Sequence, residues 1–512
     1  MNIGELLRSR AQRDPARIAL SDVDANVGYT LETLDTAACR VAAALGAHGV
    51  REGDRVAVVV GGSATYVAAI FGVFYAGAVA VPVPLVETPL ALAARVTRTR
   101  CKLVLFEPES AALVDATVAR LADEATHIVT RDVAALAFDR AAPLADGPVA
   151  LAPGAPALVL ATSGTTGTAK GAVIAHASLL LHTSLLLADA LHLQTDDRVL
   201  ATLPFAHSYG LRITLLAPLM AGAEIVWTRR FDAARTLAMI ARRQITFAAV
   251  VPTMLAAWVE LPTSNASDLS SLRWIVSAGA PLTDELARRA EARLGCEVRQ
   301  AYGMTEATFS TVDAPPAPRV LGSVGRAVLG VEVRAVDDAG AALPAGVTGE
   351  LAVRGHHAMI GYDDDEEATR ALRLPGGFLR SGDLGRVDAD GRVWVTDRKK
   401  DLIIRGGLNV APSAVEAALA SHPDVAEVVV VGREDPHYGE EIVAIVRVRS
   451  GTTPTPESLI AHAALWLARP QLPRELVFID ALPTGASGKI DRRSLRAAVA
   501  NGALERRRVE LP

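Results

Sequence analysis

The sequence predicts an α/β protein: a large N-terminal domain of parallel-rich sheets with helices and a small β subdomain, then a small α/β C-terminal domain. Three observations carry this. Short apolar runs of strand length alternate with longer segments of helical spacing over the first 300 residues. Near Gly322 the texture changes to turn-rich strands. A polar run at 397–400 then separates two apolar strands and opens a further strand, helix and strand. At 512 residues the chain exceeds the roughly 250–300 at which a single core stops growing, so at least two domains are expected.

Taken in order, "DRVAVVV" (54–60), "CKLVLFE" (101–107), "APALVLA" (155–161), "EIVWT" (224–228), "FAAVVP" (247–252) and "LRWIVSAG" (272–279) read as buried strands. "TLETLDTAACRVAAALGAHG" and "DELARRAEARLG" read as helices between such strands, the pattern of a parallel sheet. The uncharged run Tyr66–Val86 is long enough to span a bilayer. A helix ending near Gly77 and a short strand broken by Pro82 and Pro84 account for it without a membrane. "GSVGRAVLGVEVRAVDDAGAALPAGVTGELAVRG" gives the β subdomain, about 322–396, within a first domain of 1–396. Residues 397–400 form the boundary, 401–512 the second domain, and "ERRRVELP" is expected to be a loosely held tail.

Composition narrows the function. Half the residues are hydrophobic and 21% charged, with a net charge of -5, so there is no electrostatic footprint for nucleic acid. Cys39, Cys101 and Cys296 lie far apart, which supports neither a zinc site nor a disulfide framework and fits a reducing compartment. The first twenty residues carry charges throughout and no apolar core, so no secretory signal is expected and the cytoplasm is the expected location.

The stretch "LATSGTTGTAKGAVIAH", Leu160–His176, points to chemistry. A loop of small residues lets backbone N–H groups converge on an anion, hydroxyls add donors, and Lys170 adds charge, so a triphosphate is the natural ligand. It is not a Walker A loop: counted from Gly164, the second glycine is replaced by Ala169 and the Ser/Thr after the lysine by Gly171. The residues after the lysine, "GAVIAH", are strand-like where a P-loop needs a helix N-terminus.

This strand, loop and strand resembles the adenylate-forming superfamily of acyl-CoA synthetases, carrier-loading adenylation domains and firefly luciferase, whose phosphate loop is similar to "SGTTGTAKG". "QAYGMTEAT" (300–308), "SGDLG" (381–385), "DRKKDLIIRGGLN" (397–409) and "PTGASGKIDRRSL" (483–495) resemble four further family motifs in the family's order, over nearly the whole chain. Ser381 for threonine and Asp397 for glycine are the departures.

The resemblance implies ATP-dependent activation of a carboxylic acid with Mg2+, in which cations and oriented donors bring two anions together. Thr165, Thr166, Gly167 and Lys170 would hold the β and γ phosphates, Thr305 the α-phosphate, and Glu306 the magnesium ion. Tyr302 would stack on adenine, with Gly279, Ala280 and Gly303 as further nucleotide-binding positions. Asp383 would accept from the ribose hydroxyls and Arg398 would add a ribose or phosphate contact. Lys489 would bridge the incoming carboxylate and the α-phosphate, and Lys400 would be the hinge about which the mobile C-terminal domain turns between half-reactions. Gly406 and Gly407, in "RGGLN", would then face the pantetheine arm of CoA or of a carrier protein.

In amino-acid-activating relatives an aspartate stands where this chain has "LPFAHSYGL", Leu203–Leu211, so an acid with an apolar tail, fatty or aryl, is expected. His207 matches a position that gates the acyl site, and Arg212 is expected to point outward from a helix, with pairing to a second substrate carboxylate as its alternative. CoA is the expected acceptor, a carrier-protein phosphopantetheine its rival, and a non-catalytic nucleotide-binding protein the reading from another class.

Overall fold

The computed structural model describes residues 1–123, 129–162, 170–262, 268–485 and 489–509. Two compact units emerge: one of residues 1–282, 288–333 and 353–379, the other of 283–287, 334–352 and 380–512. The polar run at 397–400 lies inside the second.

The first unit is built on two sheets. One places nine strands in the order Arg326–Ala327, Ala307–Val312, Glu297–Met304, Trp274–Ala278, Phe247–Val250, Arg198–Ala201, Glu224–Trp227, Ile18–Asp22 and Val27–Thr30. Its centre is parallel, for Trp274–Ala278 pairs in parallel with both Phe247–Val250 and Glu297–Met304. The second sheet orders seven strands as Gly361–Tyr362, Gly171–Ala175, Pro156–Ala161, Val79–Pro82, Arg55–Val59, Cys101–Phe106 and Val129–Asp132. All six apolar runs read as strands from the sequence are strands here.

The run at Tyr66–Val86 resolves as helix Ser63–Tyr75 followed by strand Val79–Pro82. The helix is buried along almost its whole length, which is why it carries no polar face. Gly72 lets it approach helix Leu31–Ala47, since a Cβ there would sit 2.5 Å from a Val41 methyl. That second helix starts at Thr30, whose hydroxyl accepts from the Thr33 N–H as an N-cap. No described helix is long and apolar enough to cross a membrane.

The second unit holds its own core of Ile403, Val410, Val415, Leu419, Val430, Ile442, Ala444, Val446, Leu459 and Leu476. Its largest sheet pairs Val425–Asp435 with Gly439–Val448 in an antiparallel ladder, and Gly439–Val448 with Glu475–Phe478 in parallel. The tail expected to be loose is anchored over its described residues: Arg507–Arg508 pair antiparallel with Glu475–Leu476, and Val509 is buried in the core. One valine after a run of arginines carries no periodicity, so the sequence offered no sign of this anchor. Val509→Ala is expected to lower the stability of this unit by about 2 kcal/mol through loss of buried methyl groups. Denaturant unfolding checks it; a change within about 0.5 kcal/mol would restore the loose tail.

Candidate active site

The phosphate-loop motif sits on a hairpin. Strands Pro156–Ala161 and Gly171–Ala175 pair antiparallel up to Ala161 opposite Gly171, and the Thr162 N–H donates to the Lys170 carbonyl at 2.8 Å. The expectation of a strand rather than a helix after the loop therefore holds. Thr165, Thr166 and Gly167 lie outside the described residues. Lys170, at the foot of the loop, has its ammonium 3.8 Å from the Asp365 carboxylate and 5.1 Å from the Tyr362 ring centroid.

Thr305 and Glu306 form the two-residue tip of a second hairpin, between Glu297–Met304 and Ala307–Val312, with Met304 opposite Ala307. Gly303 is required there because a Cβ would lie 2.2 Å from the Phe309 amide nitrogen. The Tyr362 hydroxyl donates to Glu306 Oε1 at 2.5 Å. Burial and the neighbouring Glu306 carboxylate push the Tyr362 phenol well up, so it stays a donor. Lys170, Tyr362 and Glu306 thus form one connected group. Tyr302 is nearly buried on the same strand, and Gly279 and Ala280 form the bend directly after Trp274–Ala278. Strand ends of this kind are where open α/β sheets bind ligands.

The fit of Glu306 to a magnesium ion can be judged from its donors. It presents a half-buried carboxylate, and no group of three or more acidic, histidine or cysteine side chains converges among the described residues. One carboxylate with the remaining ligands drawn from phosphates and water is the way Mg2+ is commonly held, so the residues fit.

His207 lies just ahead of a buried helical segment. Gly210 comes next, where a Cβ would lie 2.3 Å from the Pro204 carbonyl oxygen. From Gly210 to Leu216 the helix is wound in the wide π form, a feature frequent at functional sites. Tyr209 fixes its approach: the hydroxyl lies 3.1 and 2.9 Å from the carbonyl oxygens of Val250 and Val276, and the ring packs 5.3 Å from that of Phe309.

Arg212 does not point outward. It is 1% exposed, and its three guanidinium nitrogens have no hydrogen-bond partner among the described residues. The expectation failed because amphipathic reasoning assigns a cation to the solvent face, whereas all seven residues of this π turn are buried. Around it lies a cluster that sequence reading missed: His182, His356 and His357. His182 Nδ1 and His356 Nε2 are 3.0 Å apart, and His357 Nε2 lies 2.9 Å from the Ser310 hydroxyl. Burial first and Arg212 second depress all three imidazoles, His357 to about 3, so they are neutral at pH 7. The adjacent histidines at 356 and 357 were the available signal.

The remaining residues gather in the second unit. Asp383 is 4% exposed and stands opposite Arg398 across the pair Leu379–Val387 and Val393–Arg398, with Arg398 Nε donating to its carboxylate at 2.9 Å. Ser381, the first departure from the family pattern, holds this turn by donating to the Leu351 carbonyl and accepting from the Asp383 N–H. Lys489 keeps much of its surface open, yet its ammonium pKa is lowered by desolvation and then by Arg398, against the attraction of Asp383. Lys400 is lowered by desolvation and by Arg398 as well. Asp383, Arg398, Lys400 and Lys489 are therefore electrostatic neighbours. Asp397, the second departure, accepts from the Ser413 hydroxyl at 2.5 Å and faces its backbone N–H. It thereby caps helix Pro412–Ala420, which lacks a cap of its own, while burial pushes its carboxyl up to about 6. Gly406 and Gly407, at φ 57° and 82°, are the two-residue turn joining Ile403–Arg405 to Leu408–Val410.

Comparison with known proteins identifies the family. Residues 7–363 match the family described as AMP-binding enzyme, and residues 414–489 its C-terminal domain. Sulfoacetate–CoA ligase of Cupriavidus necator is 34% identical over 501 residues, covering 96% of this chain and 97% of that protein. Fatty acid–[acyl-carrier-protein] ligase ScoC of Streptomyces coeruleorubidus is 35% identical over 477 residues, 91% of each. The crystal structure of ATP-bound MatB from Rhodopseudomonas palustris superposes with a TM-score of 0.89 at 29% identity, over 97% of this chain and 99% of that one. The chain belongs to the AMP-binding enzyme family and is an AMP-forming acyl-CoA synthetase, using ATP to make an acyl-adenylate that is passed to CoA.

Proposed function

We propose that the two groups of residues divide this reaction between them. Lys170 with Thr165, Thr166 and Gly167 binds the β and γ phosphates, Thr305 orients the α-phosphate, and Glu306 would hold Mg2+, which supplies charge neutralisation between the phosphates. Tyr302, Gly303, Gly279 and Ala280 receive the adenine end, and Asp383 with Arg398 the ribose. His207 gates the acid. The observation that carries the reading is the electrostatic grouping of Lys489 with Asp383 and Arg398. That Lys489 feels Asp383 and Arg398 supports a role for it at the carboxylate and α-phosphate of an adenylate, where negative charge builds as pyrophosphate leaves.

The acceptor is CoA, a reading supported by the CoA ligases among the relatives; the carrier-loading relative ScoC keeps a carrier phosphopantetheine as the second reading. Thioester formation follows a turn of the C-terminal domain about Lys400, which brings the Gly406–Gly407 turn to the pantetheine arm. Three free thiols support a reducing compartment, the cytoplasm, as the place of action.

Lys489→Ala is expected to slow acyl-AMP formation about 100-fold or more with ATP binding nearly unchanged, the size of loss seen when one oriented donor to developing charge is removed. Pyrophosphate release under single-turnover conditions, beside calorimetric ATP binding, measures both; a wild-type rate of adenylation removes Lys489 from the step. Gly407→Leu is expected to keep acid-dependent ATP/pyrophosphate exchange and lose thioester formation. A Cβ at 407 meets no atom within 4 Å, so its own fold leaves room for the side chain, although the positive φ strains it. Gly407→Asn, better tolerated at positive φ, controls for that strain. Equal losses in both half-reactions would make the turn structural, and wild-type turnover with a carrier but none with CoA would select the carrier reading.

A further inference from the structure

Arg212 carries a permanent charge and five N–H donors in a fixed fork. It is 1% exposed, and no described residue accepts from any of its nitrogens or supplies a carboxylate in ion-pair range. Desolvating a charge without a partner is among the costliest arrangements a fold can hold, and where one persists a ligand is the usual reason. Its neighbours do not provide the missing charge. His182, His356 and His357 are neutral imidazoles, and each feels Arg212 as a repelling cation. A second donor stands unpaired in the same region: Thr308 Oγ1 is buried and lacks a partner among the described residues, and the Thr308 backbone faces His182.

The position of Arg212 and Thr308 in the sequence connects them with the chemistry. Arg212 lies on the π turn five residues beyond His207, and Tyr209, one turn earlier, packs on Phe309. Thr308 stands two residues beyond Glu306 on the strand that leaves the Thr305–Glu306 tip. We infer that the acid activated here carries a second anionic group, a carboxylate or a sulfonate, which the buried Arg212 guanidinium binds with the Thr308 hydroxyl while the reacting carboxylate remains free for adenylation. This rests on the proposed adenylation, and it narrows the expected fatty or aryl acid to one with a distal anion. No described acidic side chain pairs with Arg212, so a distal amine or alkyl end would leave the guanidinium unpaired.

The test is a panel of matched acids: succinate with butyrate, adipate with hexanoate, phthalate with benzoate, sulfoacetate with propanoate. In ATP/pyrophosphate exchange the wild-type protein is expected to prefer the dianionic member of at least one pair by about 100-fold or more in kcat/KM. Whether the succeeding pair is a dicarboxylate or the sulfonate identifies the anion. Arg212→Met is expected to lose about 100-fold on the preferred acid and less than about 3-fold on its monoanionic partner, and Arg212→Lys to recover part of the loss. Preference for the monoanionic member in every pair overturns the inference. So does an equal loss on both members in Arg212→Met with ATP binding intact, which would make the arginine structural. Should Arg212→Met not fold, the wild-type panel and Arg212→Lys decide. Absence of exchange with every acid, in protein that binds ATP, fails the adenylation reading itself and is distinct from a monoanion preference.

Discussion

The first unit's site depends on one hydrogen bond, from the Tyr362 phenol to the Glu306 carboxylate. Three segments distant in sequence meet through it. Glu306 is at the tip of one hairpin, Lys170 lies at the foot of another, and Tyr362 carries both, bonding to the first and lying under the ammonium of the second. The bond holds because Tyr362 is kept protonated by burial and by the adjoining carboxylate, and because Gly361–Tyr362 is itself an edge strand paired with Gly171–Ala175. Two hairpins and an edge strand thus set the spacing between the Lys170 ammonium and the Glu306 carboxylate.

The second unit follows a different rule. Asp383 and Arg398 are cross-strand partners, and this register places an ion pair where Lys489 and Lys400 both feel it. The lysine pKa values here are lowered by desolvation first and crowding by Arg398 second, against the attraction of Asp383. The departures from the family pattern leave this intact. Ser381 retains the hydroxyl that the turn uses, and Asp397 turns its carboxyl to the uncapped helix at Pro412.

A buried positive charge with no described acceptor sets Arg212 apart from the other buried arginines, Arg95, Arg299 and Arg405, which pair with carboxylates. Leu211, Leu215 and Leu216 on the π turn belong to the main hydrophobic core, and Arg212 is carried into the same interior with no described acceptor. The three histidines beside it stay neutral, which limits the repulsion but does not offset the desolvation of the guanidinium. Stability alone would favour leucine or methionine at 212, so the arginine reads as a functional residue.

The sequence by itself determined the fold class, the six apolar strands, the family and the residues of each contiguous motif, because strand alternation, glycine turns and phosphate-loop chemistry are local properties of the chain. It also distinguished a buried helix and strand from a membrane span at Tyr66–Val86, since proline interrupts the run. Tertiary structure decided what depends on partners far along the chain. Val509 became a core residue through pairing with Glu475–Phe478, Asp397 became a helix cap through Ser413, and Glu306 acquired Tyr362. Arg212 is the clearest case: its composition and spacing matched an outward-facing cation, and only tertiary packing, which brings His182, His356 and His357 beside it, made it a buried charge. Burial is a property of what surrounds a residue, and for Arg212 those surroundings come from segments about 30 to 145 positions away.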